Sequence, residues 1–324
     1  MLTTLVSVDR VGDWCLVSTS AGDAALRLAK MVQHTGTLIS SRQAEAWLAG
    51  EAPADGAAAA TSIRAALAPL LAGVPPADIL LAVAGMNAVA AGLAAVEAVQ
   101  RPRGRADWIQ LGWLYVDSTR LFEKARDARR HFVPDVRDLA AVERLLATGA
   151  VAGVLTEIPN NPQLETADLP ALRALCDKHG AKLLLDPSSV GLASVDVMAY
   201  ADVLVSSLTK YAASEGDVMA GVLAIAPHRA DAAAMLAAAR ARLAPLHPLD
   251  LHALAAQASE KKIRDARREL VDLIAAHLLR RGQHDLREGG VGQNRASLAR
   301  GDQHPAGPLL DRGQAEALRQ FTGQ

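Results

Sequence analysis

Between residues 201 and 211 an apolar run, Val203–Val205, gives way to Ser206, Ser207, Leu208, Thr209, Lys210 and Tyr211. Lysine is scarce in this chain: it stands only at positions 30, 124, 178, 182, 210, 261 and 262, and arginine supplies most of the basic residues. Lys261 and Lys262 fall in a charged helical pattern, and Lys178 and Lys182 flank a turn, so solvation accounts for them. Lys210 instead sits at the mouth of a strand, with hydroxyls one and three residues before it. An amine so placed must leave water or meet an anion. Desolvation lowers the pKa of an amine and makes it a nucleophile towards carbonyls, while the flanking hydroxyls suit a phosphate.

The elements that must position this lysine are legible from apolar periodicity. Short apolar runs, Ile79–Ala84, Trp108–Trp113, Val151–Glu157, Lys182–Asp186, Val203–Ser206 and Gly221–Ile225, have the length and composition of strands covered on both faces. Helical patterns lie between them. Asp168–His179 is one, with Asp168 as N-cap, Pro170 in the first turn and Gly180 as terminator. Strand–helix alternation predicts an α/β fold with a doubly wound, mainly parallel sheet. Residues 1–50 lack the alternation and are expected to form an arm. Beyond about residue 240 the pattern turns helical, with Ile263, Ala266, Leu270, Leu273 and Ile274 at helical spacing.

Ligands of such sheets bind beyond the carboxyl ends of the strands. There the sequence places Gly85 and Met86, Tyr115, Glu157 and Asn161, Asp186, and then Ser207, Thr209 and Lys210. Each has an ordinary structural explanation alone: a tight strand–helix connection, a core aromatic, a turn. Pyridoxal 5'-phosphate accounts for all of them at one sheet edge. Lys210 would join the cofactor aldehyde, and Ser207 and Thr209 would donate to its phosphate. The backbone N–H groups of Gly85 and Met86, opening a helix, form an anion site for the same phosphate. Asp186 would hold the ring nitrogen protonated, Tyr115 would stack on the ring, and Asn161 would reach its phenolic oxygen.

The stretches TEIPNNPQL, LLLDPSS and ADVLVSSLTKYAASEGDVMAG together resemble the Cys/Met-metabolism group of pyridoxal-phosphate enzymes, whose signature runs E-x-P-x-N-P, then D, then S-x-T-K-Y. VAGMNAV is similar to that family's S-G-M-x-A phosphate turn, and YVDSTRLFEK to its tyrosine segment. HTGTLISSRQAE resembles a cystathionine γ-synthase-like subgroup. The likeness runs over about residues 30–230. It implies a fold-type-I transferase with a seven-stranded-type sheet: an N-terminal arm (1–50), a cofactor-binding large domain (51–240) and a shortened C-terminal small domain (241–324). It also implies a homodimer or homotetramer in which an arm arginine, here Arg42, reaches the neighbouring subunit's phosphate. Catalysis would rest on Lys210, Tyr115 and Asp186. Ser40 stands where the family has a tyrosine, and Ala84 where it has a serine. The family's substrate-carboxylate arginine has its nearest echo in NRASLARG, at Arg295. The activity implied is γ-replacement, in which an O-acylated homoserine exchanges its acyl group for a thiol; β- or γ-elimination by a lyase is the alternative.

Composition narrows the field further. A net charge of −1 and a pI near 6.8 give no footprint for nucleic acid or an anionic membrane. Cys15 and Cys176 are too few and too far apart for a disulfide framework, and no CxxC pair is present. The opening MLTTLVSVDR has neither a basic segment nor a long apolar run, so no signal peptide and a cytoplasmic location are expected. Ile79–Val96 is uncharged and long enough to span a bilayer, but Gly85 and Asn87 break it, as a strand turning into a helix requires. Ser207-Leu-Thr-Lys210 also satisfies the S-x-x-K pattern of serine acylases, whose S-D-N and K-T-G partners are absent. A cofactor-binding protein without turnover is the third reading.

Overall fold

The computed structural model of the chain describes residues 6–11, 14–19, 22–52, 54–124 and 129–265. It opens with an antiparallel hairpin of β1 (Val6–Val11) and β2 (Trp14–Thr19), followed by helices α1 (Asp23–Thr35), α2 (Ser41–Leu48) and α3 (Ala57–Leu67). Alternation then begins with β3 (Leu80–Ala82), α4 (Gly85–Gln100), β4 (Asp107–Leu111), α5 (Val116–Lys124), β5 (Arg130–Val133) and α6 (Leu139–Leu146). It continues through β6 (Val151–Glu157), α7 (Leu169–His179), β7 (Lys182–Asp186), β8 (Val203–Ser207) and β9 (Gly221–Ile225). Helices α8 (Ala232–Arg242), α9 (Pro248–Gln257) and α10 (Glu260–Asp265) follow.

Strands β3 to β9 form one sheet of seven, in the order β3-β9-β8-β7-β6-β4-β5. Only β9 runs against its neighbours; the others share one direction. Strands β6, β7 and β9 are buried at every position, as two-sided coverage demands. Alternate residues feed opposite layers. Leu183, Leu185, Leu204 and Val222 join a core shared with α3, α6, α7 and α9, whereas Leu184, Val203, Val205 and Leu223 face α4 and α8. Asp168 caps α7 by accepting from Ala171 N at 3.0 Å, and Gly180 closes it with φ 68°. No helix among the described residues is long and apolar enough to cross a membrane.

Two elements differ from expectation. Strand β5, Arg-His-Phe-Val, was not foreseen: it is an edge strand whose only fully buried residue is Val133, so it carries no apolar run. Residues 1–50, where the sequence shows no strand–helix alternation, contain the hairpin and two helices, in which exposed Val8 and Leu16 blunt the apolar pattern.

At the amino edge of the sheet, away from Lys210, a buried ionic cluster braces β7 against β8. Asp202 takes Arg173 Nη1 at 2.5 Å and the Leu183 N–H at 2.8 Å, with Lys182 Nζ 3.7 Å away. Arg173, Lys182 and Asp202 are each at most 7% exposed, so Lys182, expected to be solvated beside a turn, is instead buried. Removing the anion leaves the buried Leu183 N–H unpaired and takes one carboxylate from Arg173 and Lys182, which keep Asp177 at 2.7 Å and Asp231 at 3.1 Å. Asp202→Ala should therefore lower stability by about 1–3 kcal/mol, the cost of a buried donor left unpaired, read from urea unfolding midpoints. A loss below about 1 kcal/mol would show that water replaces the carboxylate.

Candidate active site

The site is assembled where α4 begins and where β6, β7 and β8 end. Ala84, extended at φ −158° and ψ 159°, precedes α4 and offers no side-chain cap, so the N–H groups of Gly85 and Met86 face outward without one. A Cβ on Gly85 would lie 2.8 Å from Ser207 Cβ and 3.1 Å from Ser207 Oγ. Only glycine lets the helix start meet the end of β8 this closely. The anion-binding end of α4 and the Ser207 hydroxyl thus share one spot.

After Ser207 the chain turns through a single-turn 3-10 helix, Leu208–Lys210. Leu208 and Tyr211 are buried and anchor this turn, and Lys210 projects from it exposed. Thr209 braces it: its hydroxyl donates to Ala220 O at 3.2 Å and accepts from Ala220 N at 2.8 Å. Its proton is thereby committed to Ala220, just before β9, rather than directed beside Ser207 as expected. Ser207 ends a strand, whereas the acylase reading required a helix start.

Asp186 closes β7 and is 9% exposed. It accepts from Ser188 N at 2.9 Å and Ser188 Oγ at 2.5 Å. Ser188 Oγ in turn accepts from Ser207 N at 2.8 Å and lies 3.3 Å from Ser206 Oγ, to which the Tyr211 hydroxyl donates at 2.9 Å. A chain of hydroxyls therefore ties the lysine turn to Asp186. Sequence reasoning missed it; the signal was a serine two residues after an aspartate, the spacing of an Asx-type turn. Burial pushes the Asp186 carboxyl above its ordinary range, against the pull of the two Ser188 bonds.

Glu157, in register with Asp186 across β6 and β7, is 6% exposed and accepts from the Tyr115 N–H at 2.5 Å. Burial first, and the Asp186 charge second, push its carboxyl up. Tyr115 itself is 48% exposed and leads into α5. Partial burial and then the charge of Asp117 raise its phenol. Asp117, buried, accepts from Gln33 Nε2 at 3.1 Å and lies 3.8 Å from His34 Nε2, which joins α1 to the tyrosine segment. Nothing in the spacing of Gln33 and Asp117, 84 residues apart, announced that contact.

The remaining expected residues lie apart. Asn161 is exposed in the loop after β6, while its neighbour Asn160 is fully buried and accepts from Glu165 N at 2.9 Å. Arg42 stands in the first turn of α2, which Ser40 caps by accepting from Gln43 N at 3.2 Å. Within one chain its guanidinium is held by Asp250 at 2.6 Å and Asp217 at 2.9 Å. Its expected reach to a phosphate concerns a neighbouring subunit. Arg295 lies outside the described residues.

The residues present fit a group that is anionic at one end and basic in its ring. Asp186 is a buried carboxylate that no cation among the described residues pairs with, so a protonated ring nitrogen would complete it. The start of α4 with Ser207 offers donors to a phosphate, and Lys210 a free amine for an aldehyde. No cluster of His, Cys, Asp or Glu among the described residues suits a metal ion.

Comparison with known proteins agrees. The family described as "Cys/Met metabolism PLP-dependent enzyme" matches residues 72–261. An L-2-amino-4-chloropent-4-enoate dechlorinase/desaturase of Streptantibioticus cattleyicolor is 45% identical over 205 residues, 60% of this chain and 41% of that protein. An alanine racemase of Aspergillus violaceofuscus is 35% identical over 136 residues, 40% of this chain and 23% of that one. Among solved structures, a cystathionine γ-synthase of Xanthomonas oryzae pv. oryzae, in complex with aminoacrylate and cysteine, superposes with a TM-score of 0.52. It is 25% identical, with 64% of this chain and 51% of that one covered. The chain spans less than half the length of these curated relatives.

Proposed function

This chain belongs to the Cys/Met-metabolism pyridoxal-phosphate-dependent enzymes, and from that premise we propose that its strand-end cluster acts on an amino acid bearing a leaving group on Cγ. The observation that carries the site is the conjunction of a buried, cation-free Asp186 with an exposed Lys210 and an uncapped helix start beside Ser207. When bound, pyridoxal phosphate supplies an aldehyde for the amine and a protonated ring that withdraws electrons from the substrate's Cα. Lys210 would hold the cofactor through its amine and, once released, would take the substrate's Cα proton and carry it towards the cofactor. The Gly85 and Met86 N–H groups and the Ser207 hydroxyl bind the phosphate, with Thr209 fixing the turn between them. Asp186 keeps the ring nitrogen's proton, Tyr115 offers an aromatic face, and Asn161 a donor for the phenolic oxygen.

The position of the leaving group draws on the relatives' names. An alanine racemase needs chemistry only at Cα, but the chloropentenoate enzyme is named for a substrate with chlorine on carbon 4, and the Xanthomonas enzyme for synthesis at the γ carbon. Replacement of an O-acyl group by a thiol is the reading the sequence motifs favour. Elimination without a thiol is favoured by the relative at 45% identity. Purified protein supplied with cofactor, then with an O-acylhomoserine or a 4-chloro amino acid, with and without cysteine, separates the two. A thioether formed only with cysteine supports replacement; acid or chloride release regardless of cysteine supports elimination. Retention of both leaving groups would overturn the γ assignment.

We place the site between two copies in a homodimer or homotetramer, with Arg42 serving the neighbour's phosphate. Exposed Trp113, Tyr115 and Val116, 45–56% accessible beside the site, support a covered face there. Arg42→Ala should weaken cofactor binding by about 1.5–3 kcal/mol, the range for a hydrogen bond to a charged group. Mixing Arg42→Ala with Lys210→Ala subunits should then restore activity that neither has alone. No recovery in properly mixed oligomers would return Arg42 to its own chain.

A further inference from the structure

We propose that Glu157 works as a neutral acid, keeping the one proton of a buried carboxyl pair so that Asp186 stays an anion. Glu157 and Asp186 close adjacent parallel strands in register, so their side chains leave the same face side by side. They are 6% and 9% exposed. Two carboxylates so close and so buried cannot both ionise without a counter-ion.

The groups that face the pair supply none. From the lead-in to α5 comes the Tyr115 N–H, donated to Glu157. From β7 and the turn after it come Asp186 and Ser188, and from β8 Ser206. On the other side β4 presents Gln110, whose amide donates to Gly112 O and whose carbonyl takes Arg130 at the start of β5. No lysine, arginine or histidine among the described residues forms an ion pair with either carboxyl.

Hydrogen bonding decides which member keeps the proton. Asp186 receives two donors from Ser188, both of which favour its anion, whereas Glu157 receives one backbone N–H. The proton therefore resides on Glu157, in line with the upward push that burial and the Asp186 charge exert on it. A neutral Glu157 still anchors the Tyr115 main chain but adds no second anion to compete for the cation that Asp186 awaits. It is a positioning residue for Tyr115 and Asp186. The purpose given to Asp186 rests on the function proposed above; the protonation of Glu157 does not, because it is a property of the cofactor-free chain.

Glu157→Gln in cofactor-free protein is the test. An acid whose folded pKa is raised contributes stability below its unfolded value that is lost as pH rises through the folded one. Glutamine cannot ionise, so the melting temperature of Glu157→Gln should gain on wild type between pH 5 and pH 9 by at least roughly 2 °C. An infrared difference spectrum at neutral pH, wild type minus variant, should contain the C=O band of a neutral carboxylic acid. A flat or falling melting difference, or a difference spectrum without that band, overturns the proposal. So does failure of the variant to fold, since glutamine is isosteric with the neutral acid. If instead wild type takes up no cofactor while both signals appear, the function is wrong and the protonation stands.

Discussion

Lys210→Ala is expected to abolish turnover and the borohydride-reducible link to the cofactor while leaving the fold unchanged. The side chain is exposed and pairs with nothing among the described residues, so its truncation removes no packing. The turn that carries it is held by other means: buried Leu208 and Tyr211, and the Thr209 brace on Ala220. Stability should therefore move by no more than about 0.5 kcal/mol, the usual range for such surface positions. Activity should fall far more. Proton transfer alone is worth roughly 10²–10⁴-fold, and the same amine also makes the covalent attachment. Steady-state rates with a circular-dichroism melt check both halves. A variant that melts early would mean that Lys210 serves the fold; one that turns over would remove it from the chemistry.

Asp186→Asn should show opposite effects on stability and on function. With cofactor present, the ring nitrogen loses the anion that keeps it protonated, so turnover should drop by orders of magnitude while cofactor affinity drops much less. Without cofactor, the variant should be more stable than wild type above neutral pH. Burial raises the Asp186 carboxyl above its unfolded value, so ionising it costs stability as pH rises through the folded value. Asparagine removes that cost, although it weakens the short bond from Ser188 Oγ. Well below pH 4, where the carboxyl is protonated in both states, the gain should vanish. The site is thus built at the expense of the empty protein's stability, as active sites commonly are. Near-normal turnover in Asp186→Asn would reduce the residue to a turn aspartate.

The strands around the site were legible because parallel strands covered on both faces must be apolar throughout. Val151–Glu157, Lys182–Asp186 and Gly221–Ile225 have the bounds their apolar runs mark. The reversal of β9 was not legible, since burial on both faces looks the same in either direction. Strand β5 was hidden by its edge position and its Arg-His start. Of the site, residues whose type is itself chemical could be read: Lys210, Asp186 and the Gly85 turn. What escaped were contacts between residues of ordinary type. Ser188, Ser206 and Tyr211 read singly as turn or core, and only folding makes them a relay to Asp186. Arg42 could be recognised as a useful cation, but its pairing with Asp217 and Asp250, 175 and 208 residues away, could not.

One bond is decisive, that between Lys210 and the cofactor. Cofactor-loaded protein reduced with borohydride, digested and mapped by mass spectrometry should carry the pyridoxyl-phosphate adduct on the peptide containing Lys210, and Lys210→Ala should yield no adduct at any site. An adduct on another lysine, with Lys182 the nearest in sequence that the fold buries, or no adduct in the wild type, would contradict it.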